Sequence, residues 1–200
     1  MARKLETWIT DIFPGATKVY ENYRDLPARE LVIVVATSFD IALVDLLYLR
    51  MKGDTKEVEE FLGINGDGRA PCGSFGARIQ LALLLGVITA EDAKLLRIVK
   101  SIRNTFAHRV HASFNKEPAL KDTYKLFDQL KEQSTRLIKL GLLNGTGTEI
   151  QDEPIRPLLD KTPAIGEGIY IAIAAIYTAY FHRLHDEVTP IVQMVIENRV

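Results

Sequence analysis

"TAEDAKLLRIVKSIRNTFAHRVH", residues 89–111, decides the fold of this 200-residue chain. It opens on Thr89 with Asp92 three residues later, a near-match to the capping box that starts a helix. Leu95, Ile98, Val99, Ile102 and Phe106 then recur at helical spacing, so the segment reads as an amphipathic helix with one core face. Near its end the same helix sets Arg103, Asn104 and His108 within one and a half turns. Arg is a permanent cation with a fork of donors, and His exchanges protons near neutral pH, so the set suits an anionic substrate. It suits a polar seam between helices equally, because the helix dipole stabilises a His near a C-terminus whatever else that His does.

Working outward, residues 28–50 are apolar almost all round, with Asp40 and Asp45 as exceptions, which predicts a central helix. "TKEVEEFLG" predicts a short amphipathic helix stopped by Gly63, and "INGDGRAPCG" after it has loop composition. Ser74 is placed to cap the helix of "FGARIQLALLLG", whose end Gly86 marks. Pro118 precedes another amphipathic helix that Gly141 ends. Residues 142–168, with Pro154, Pro157 and Pro163, read as irregular, with a two-stranded ribbon as an alternative. The last helix is expected from about Gly168 to Val188, with Pro190 kinking or restarting it. No stretch shows sustained strand alternation. The expected fold class is therefore all-α: one domain over residues 1–200, a compact helical bundle of six or seven helices.

Hydrophobic residues at 47% and charged ones at 26% are ordinary globular values and argue against a disordered or fibrous chain. A net charge of -1 offers no bulk attraction to phosphate backbones, which excludes a general DNA coat protein. The single Cys72 has no internal disulfide partner, and "MARKLETWITDIFPG" lacks the apolar core of a secretory signal, so the expected location is cytoplasmic. The most apolar run, "IYIAIAAIYTAYF" at 169–181, is shorter than the ~20 residues that cross a bilayer. It is read as a buried helix, and no membrane partner is expected.

Three ordered pieces carry a resemblance: "SFDIALVDLL" at 38–47, "GSFGARIQLALLLGVIT" at 73–89 and "LLRIVKSIRNTFAH" at 95–108. Together they resemble the mannitol operon repressor (MltR-like) family, whose pattern is an Asp on a long helix, a Phe-Ser-Ala-Arg-Ile helix and then Arg-Asn-x-x-Ala-His. The likeness covers residues 28–125, and Gly76 departs from it by standing where the pattern has Ser. It implies an all-helical transcription regulator with a family-like core at about 28–140 and a C-terminal extension whose long helix covers about 168–198. No basic recognition helix accompanies it, so regulation by protein contact is expected rather than sequence-specific DNA readout. Arg103 and His108 also form an Arg-x4-His element similar to that of HEPN domains, helical dimers that include metal-independent ribonucleases. That likeness implies His108 moving a proton at the 2'-hydroxyl or leaving oxygen, Arg103 stabilising the scissile phosphate and Asn104 orienting one of them.

The remaining signals are read more plainly. Asp40, on the helix expected to be most buried, requires a partner, and Arg78 and Arg103 are the candidates for a structural ion pair. All four histidines fall in "HRVH" at 108–111 and "HRLH" at 182–185; His182 and His185 are candidate metal ligands, but a polar face beside Asp186 and Glu187 is preferred and no metal is expected. The Gly-rich loop lacks the ending of a P-loop, and Cys72 has no base nearby in sequence. Lys94, Arg97, Lys100 and Arg103 trace a drifting stripe that is either a solvated face or an RNA contact. Tyr170, Tyr177, Tyr180 and Phe181 are assigned to the core or a dimer interface. The expected function is regulation without catalysis or cofactor, by a homodimer that binds a protein partner. The alternative is a metal-independent endoribonuclease, acting on RNA, with Arg103 and His108 as its pair.

Overall fold

The computed structural model describes residues 21–51, 55–64, 69–142 and 161–197, the last with side chains to Glu187. Six helices account for the regular structure there, and no strand occurs among the described residues: α1 (Ala28–Arg50), α2 (Thr55–Leu62), α3 (Phe75–Leu84), α4 (Ala90–His108), α5 (Ala119–Lys139) and α6 (Pro163–Glu197). The fold class is all-α.

Helix α1 is central because its apolar residues point in every direction. Leu31, Val35, Phe39, Leu43, Leu46 and Leu47 are all buried, and α1 packs against α3, α4 and α6. Each such side chain removed from water contributes about 1.5–3 kcal/mol. Helix α4 presents the expected stripe: Leu95, Val99, Ile102 and Phe106 are fully buried, with Ile98 half-buried at the edge. Helix α5 packs on α4 and closes the far side, and its end at Gly141 adopts a positive φ of 68°. Thr89 and Asp92 complete the capping box, and Ser74 accepts the Ala77 N–H at 3.2 Å.

Helix α6 departs from the sequence reading in both directions. It starts at Pro163, five residues before the expected Gly168, because proline's fixed φ suits a first turn whose N–H groups have no helical acceptor anyway. It is also continuous through Pro190, which was expected to kink or restart it; the proline removes one bond from a 35-residue ladder without ending it. Of the ribbon considered for 142–168, residues 143–160 lie outside the described residues and 163–168 belong to α6. Helix α6 also packs into the hydrophobic core. Tyr170 and Tyr177 are fully buried in it, with Phe39 of α1 at 5.8 Å from the Tyr177 ring and 5.5 Å from Phe181. Gly166 permits the close approach of Phe114, since a Cβ there would lie 2.5 Å from the Phe114 Cβ.

By length and composition alone, Ala28–Arg50 and Pro163–Glu187 could each cross a membrane, so α6 is longer than its most apolar run suggested. In this fold they pack on each other, with 67% and 56% of their most apolar windows buried.

Candidate functional site

Arg78 organises the junction of three elements. Its Nη1 donates to Asp40 Oδ2 at 2.7 Å, its Nε to the Cys72 carbonyl at 3.1 Å and its Nη2 to the Leu62 carbonyl at 2.7 Å. One buried guanidinium thus ties α1 to the end of α2 and to the turn before α3. Asp40 therefore has the ion-pair partner its position demands, and that partner is Arg78 rather than Arg103. Burial pushes the Asp40 carboxyl up, the Arg78 hydrogen bond and charge and the more distant Arg103 charge pull it down, and the net result is above the ordinary carboxylate range. Its second oxygen, Oδ1, is buried and has no hydrogen-bond partner among the described residues.

Beside this pair lies a cleft of about 300 Å³ between α1, the first turn of α3 and α4. Asp40, Ser74, Gly76, Lys100, Arg103 and Asn104 are in its wall. Lys100 is half-buried and lies over Gly76, where an added Cβ would come within 2.4 Å of its Nζ. The glycine that departs from the resembled pattern is thus the seat of a lysine. Arg103 is exposed and donates to Asn104 Oδ1 at 3.2 Å. The four-cation stripe divides accordingly. Lys94 faces Glu132 at 3.5 Å and Arg97 donates to Gln80 at 2.7 Å, while Lys100 and Arg103, carried round by a spacing that falls short of a full turn, meet at the cleft.

The structure brings Arg103, Asn104, Asp40 and Arg78 together but leaves His108 outside the cleft wall. His108 is the last residue of α4, exposed, one turn and about 6 Å along the axis beyond Asn104. Arg29 fixes the chain just after it by donating to the carbonyls of Arg109 and Val110 at 2.7 and 2.9 Å. His182 and His185 lie on α6, and no group of three or more His, Cys, Asp or Glu gathers in metal-holding geometry among the described residues. Cys72 is buried, and burial pushes its thiol up, away from nucleophilic character.

A second polar cluster, at the other end of α4, escaped the sequence reading. Asp92 is 1% exposed and accepts from Arg136 at 2.8 and 3.1 Å, from the Tyr177 and Tyr180 hydroxyls at 2.9 Å each and from the Thr89 N–H at 3.0 Å. Burial alone would raise this carboxyl; the Arg136 and Thr89 hydrogen bonds outweigh it and hold Asp92 below the ordinary range. Burial and the Asp92 charge push both tyrosines up. The capping box was legible, but its acid's second use depends on partners 44 to 88 residues away. The aromatic run of α6 is core, with its hydroxyls bonded inward.

Compared with known proteins, the chain matches no family model, no curated protein and no solved structure.

Proposed function

We propose that this chain is a non-enzymatic regulatory protein that works by recognition in the cytoplasm as a homodimer, in the manner implied by its resemblance to the mannitol operon repressor family. The observation that carries the reading is the composition of the cleft: two cations, an amide and a carboxylate already engaged by Arg78. That is a set for holding a ligand, since the one acid present is tied to a structural cation. Protein contact is further supported by Ile33 and Val34, which leave 37% and 38% of their surface exposed on α1 beside the cleft residues Ala36 and Thr37.

The second reading, a metal-independent ribonuclease, is favoured by one observation. Arg103 faces the cleft beside Asn104, and His108 follows one turn later on Asn104's side of the helix. Incubating purified protein with mixed RNA in the presence of EDTA separates the two. Intact RNA is expected; cleavage that disappears in a folded His108→Ala variant would replace regulation by nuclease chemistry.

A further inference from the structure

Lys100 occupies an electrostatically uncomfortable place. Its ammonium rests on the first turn of α3, where the N–H groups of Phe75 and Gly76 have no acceptor within the helix and the dipole adds partial positive charge. Arg103 adds a second full cation in the same cleft. Neither side chain has an acidic hydrogen-bond or ion-pair partner among the described residues, and the single carboxylate in the wall is matched by Arg78. The helix end is the smaller part of this. Three guanidinium and ammonium groups against one carboxylate leave the cleft a net two positive charges. The groove between α4 and α5 shows the opposite pattern: Lys94 faces Glu132 and Lys125 pairs with Asp122 at 2.7 Å, so its cations are already balanced.

A second feature points to what the ligand carries besides charge. Asp40 lines the cleft, and its Oδ1 is buried without a donor, although its sister oxygen is held at 2.7 Å by Arg78. A buried acceptor left unmade is costly, and a small rotation of the carboxyl group would present it to a hydroxyl in the cleft, which would then satisfy it. We propose that the cleft binds a small phosphate monoester bearing a hydroxyl group, with the phosphate between Lys100, Arg103 and the start of α3 and the hydroxyl donating to Asp40 Oδ1. A monoester carries close to two negative charges and three acceptor oxygens at neutral pH, which complements two cations better than a carboxylate or a phosphodiester does. A space of about 300 Å³ fits a ligand of that size. This ligand class rests on the recognition reading above.

The test is calorimetric titration and thermal melting of the whole chain with inorganic phosphate, methyl phosphate, glycerol phosphate and a short single-stranded RNA, each at matched ionic strength. Glycerol phosphate is expected to raise Tm by about 3 °C or more at saturation and to bind at least about fivefold tighter than methyl phosphate. Lys100→Met and Arg103→Met are each expected to weaken it about tenfold or more. Gly76→Ala supplies a second kind of variant: it keeps every charge and suits a helix, yet its methyl displaces the Lys100 ammonium, so the same loss is expected in a folded protein. The proposal is overturned by no response to the esters, by a response unchanged in all three variants, by equal affinity for methyl and glycerol phosphate, or by binding of the RNA alone. A protein blind to phosphate that leaves RNA intact loses this ligand and keeps its regulatory reading; RNA cleavage removes the reading itself.

Discussion

Helix α4 carries a polar cluster at each end, and the two are built on opposite terms. At its start Asp92 is sealed from water and every neighbour serves it: one guanidinium by two bonds, two phenols and the capping threonine. Towards its end Lys100 and Arg103 line open space, and the nearest carboxylate belongs to Arg78. A closed cluster in low dielectric is worth most when complete and is costly when broken. An open cluster with surplus charge contributes little to folding and is free to serve a ligand. The difference between them leaves one end of the helix closed on matched charge and the other open with cations that no carboxylate matches.

The largest expected effect is at the closed end. Asp92→Asn sets a neutral amide against the half-buried Arg136 and takes the charged acceptor from the buried Tyr177 and Tyr180 hydroxyls, and it should cost about 3–5 kcal/mol in urea unfolding; a loss under 1 kcal/mol would erase the contrast. Because the Asp92 carboxyl is held below its unfolded value, its contribution is present above about pH 4 and is lost as pH falls through the folded value, so the variant should show a flatter acid limb. Next, Arg78→Met, which orphans Asp40 and two carbonyls, should cost about 3 kcal/mol in the same measurement. That would show that the open cluster rests on one closed member.

Alkaline melting gives a smaller effect. Tyr170, Tyr177 and Tyr180 are all pushed above the ordinary phenol range, chiefly by burial, so the unfolded chain releases their protons first. Stability should therefore fall as pH rises through about 10, at up to about 1.4 kcal/mol per unit for each tyrosine, and Tyr177→Phe should remove one share. A melt independent of pH up to 11 would contradict their burial. The smallest change belongs to Arg103→Met, expected within about 0.5 kcal/mol of the parent chain because its guanidinium is exposed. A loss above 2 kcal/mol would make it a structural cation and close the open end.

Helices were legible wherever the signal was local. The stripe Leu95 to Phe106, the Ser74 and Thr89 caps and the positive-φ Gly63, Gly86 and Gly141 each declare a boundary within a few residues. The need of Asp40 for a cation was also legible, because a charge among apolar neighbours must be paired. Which cation answers was not, since Arg78 and Arg103 are both on facing helices and only packing decides between them. Arg136 carried no mark at all: its distance from Asp92 in sequence hides a contact made through tertiary structure. Lys100 was seen only as one member of a basic stripe, and the seat that Gly76 provides could not be inferred from a missing side chain.

The docking of α6 on α1 sets a delay in synthesis. Tyr170 reaches the Val32 carbonyl at 3.5 Å across 138 residues of chain, and Phe39 is covered by rings that come later still. At ribosomal speeds of about 5–20 residues per second, α1 waits roughly 7–30 s for its cover. During that interval the nascent chain presents an uncovered apolar surface, the kind that associates with other chains before folding is complete.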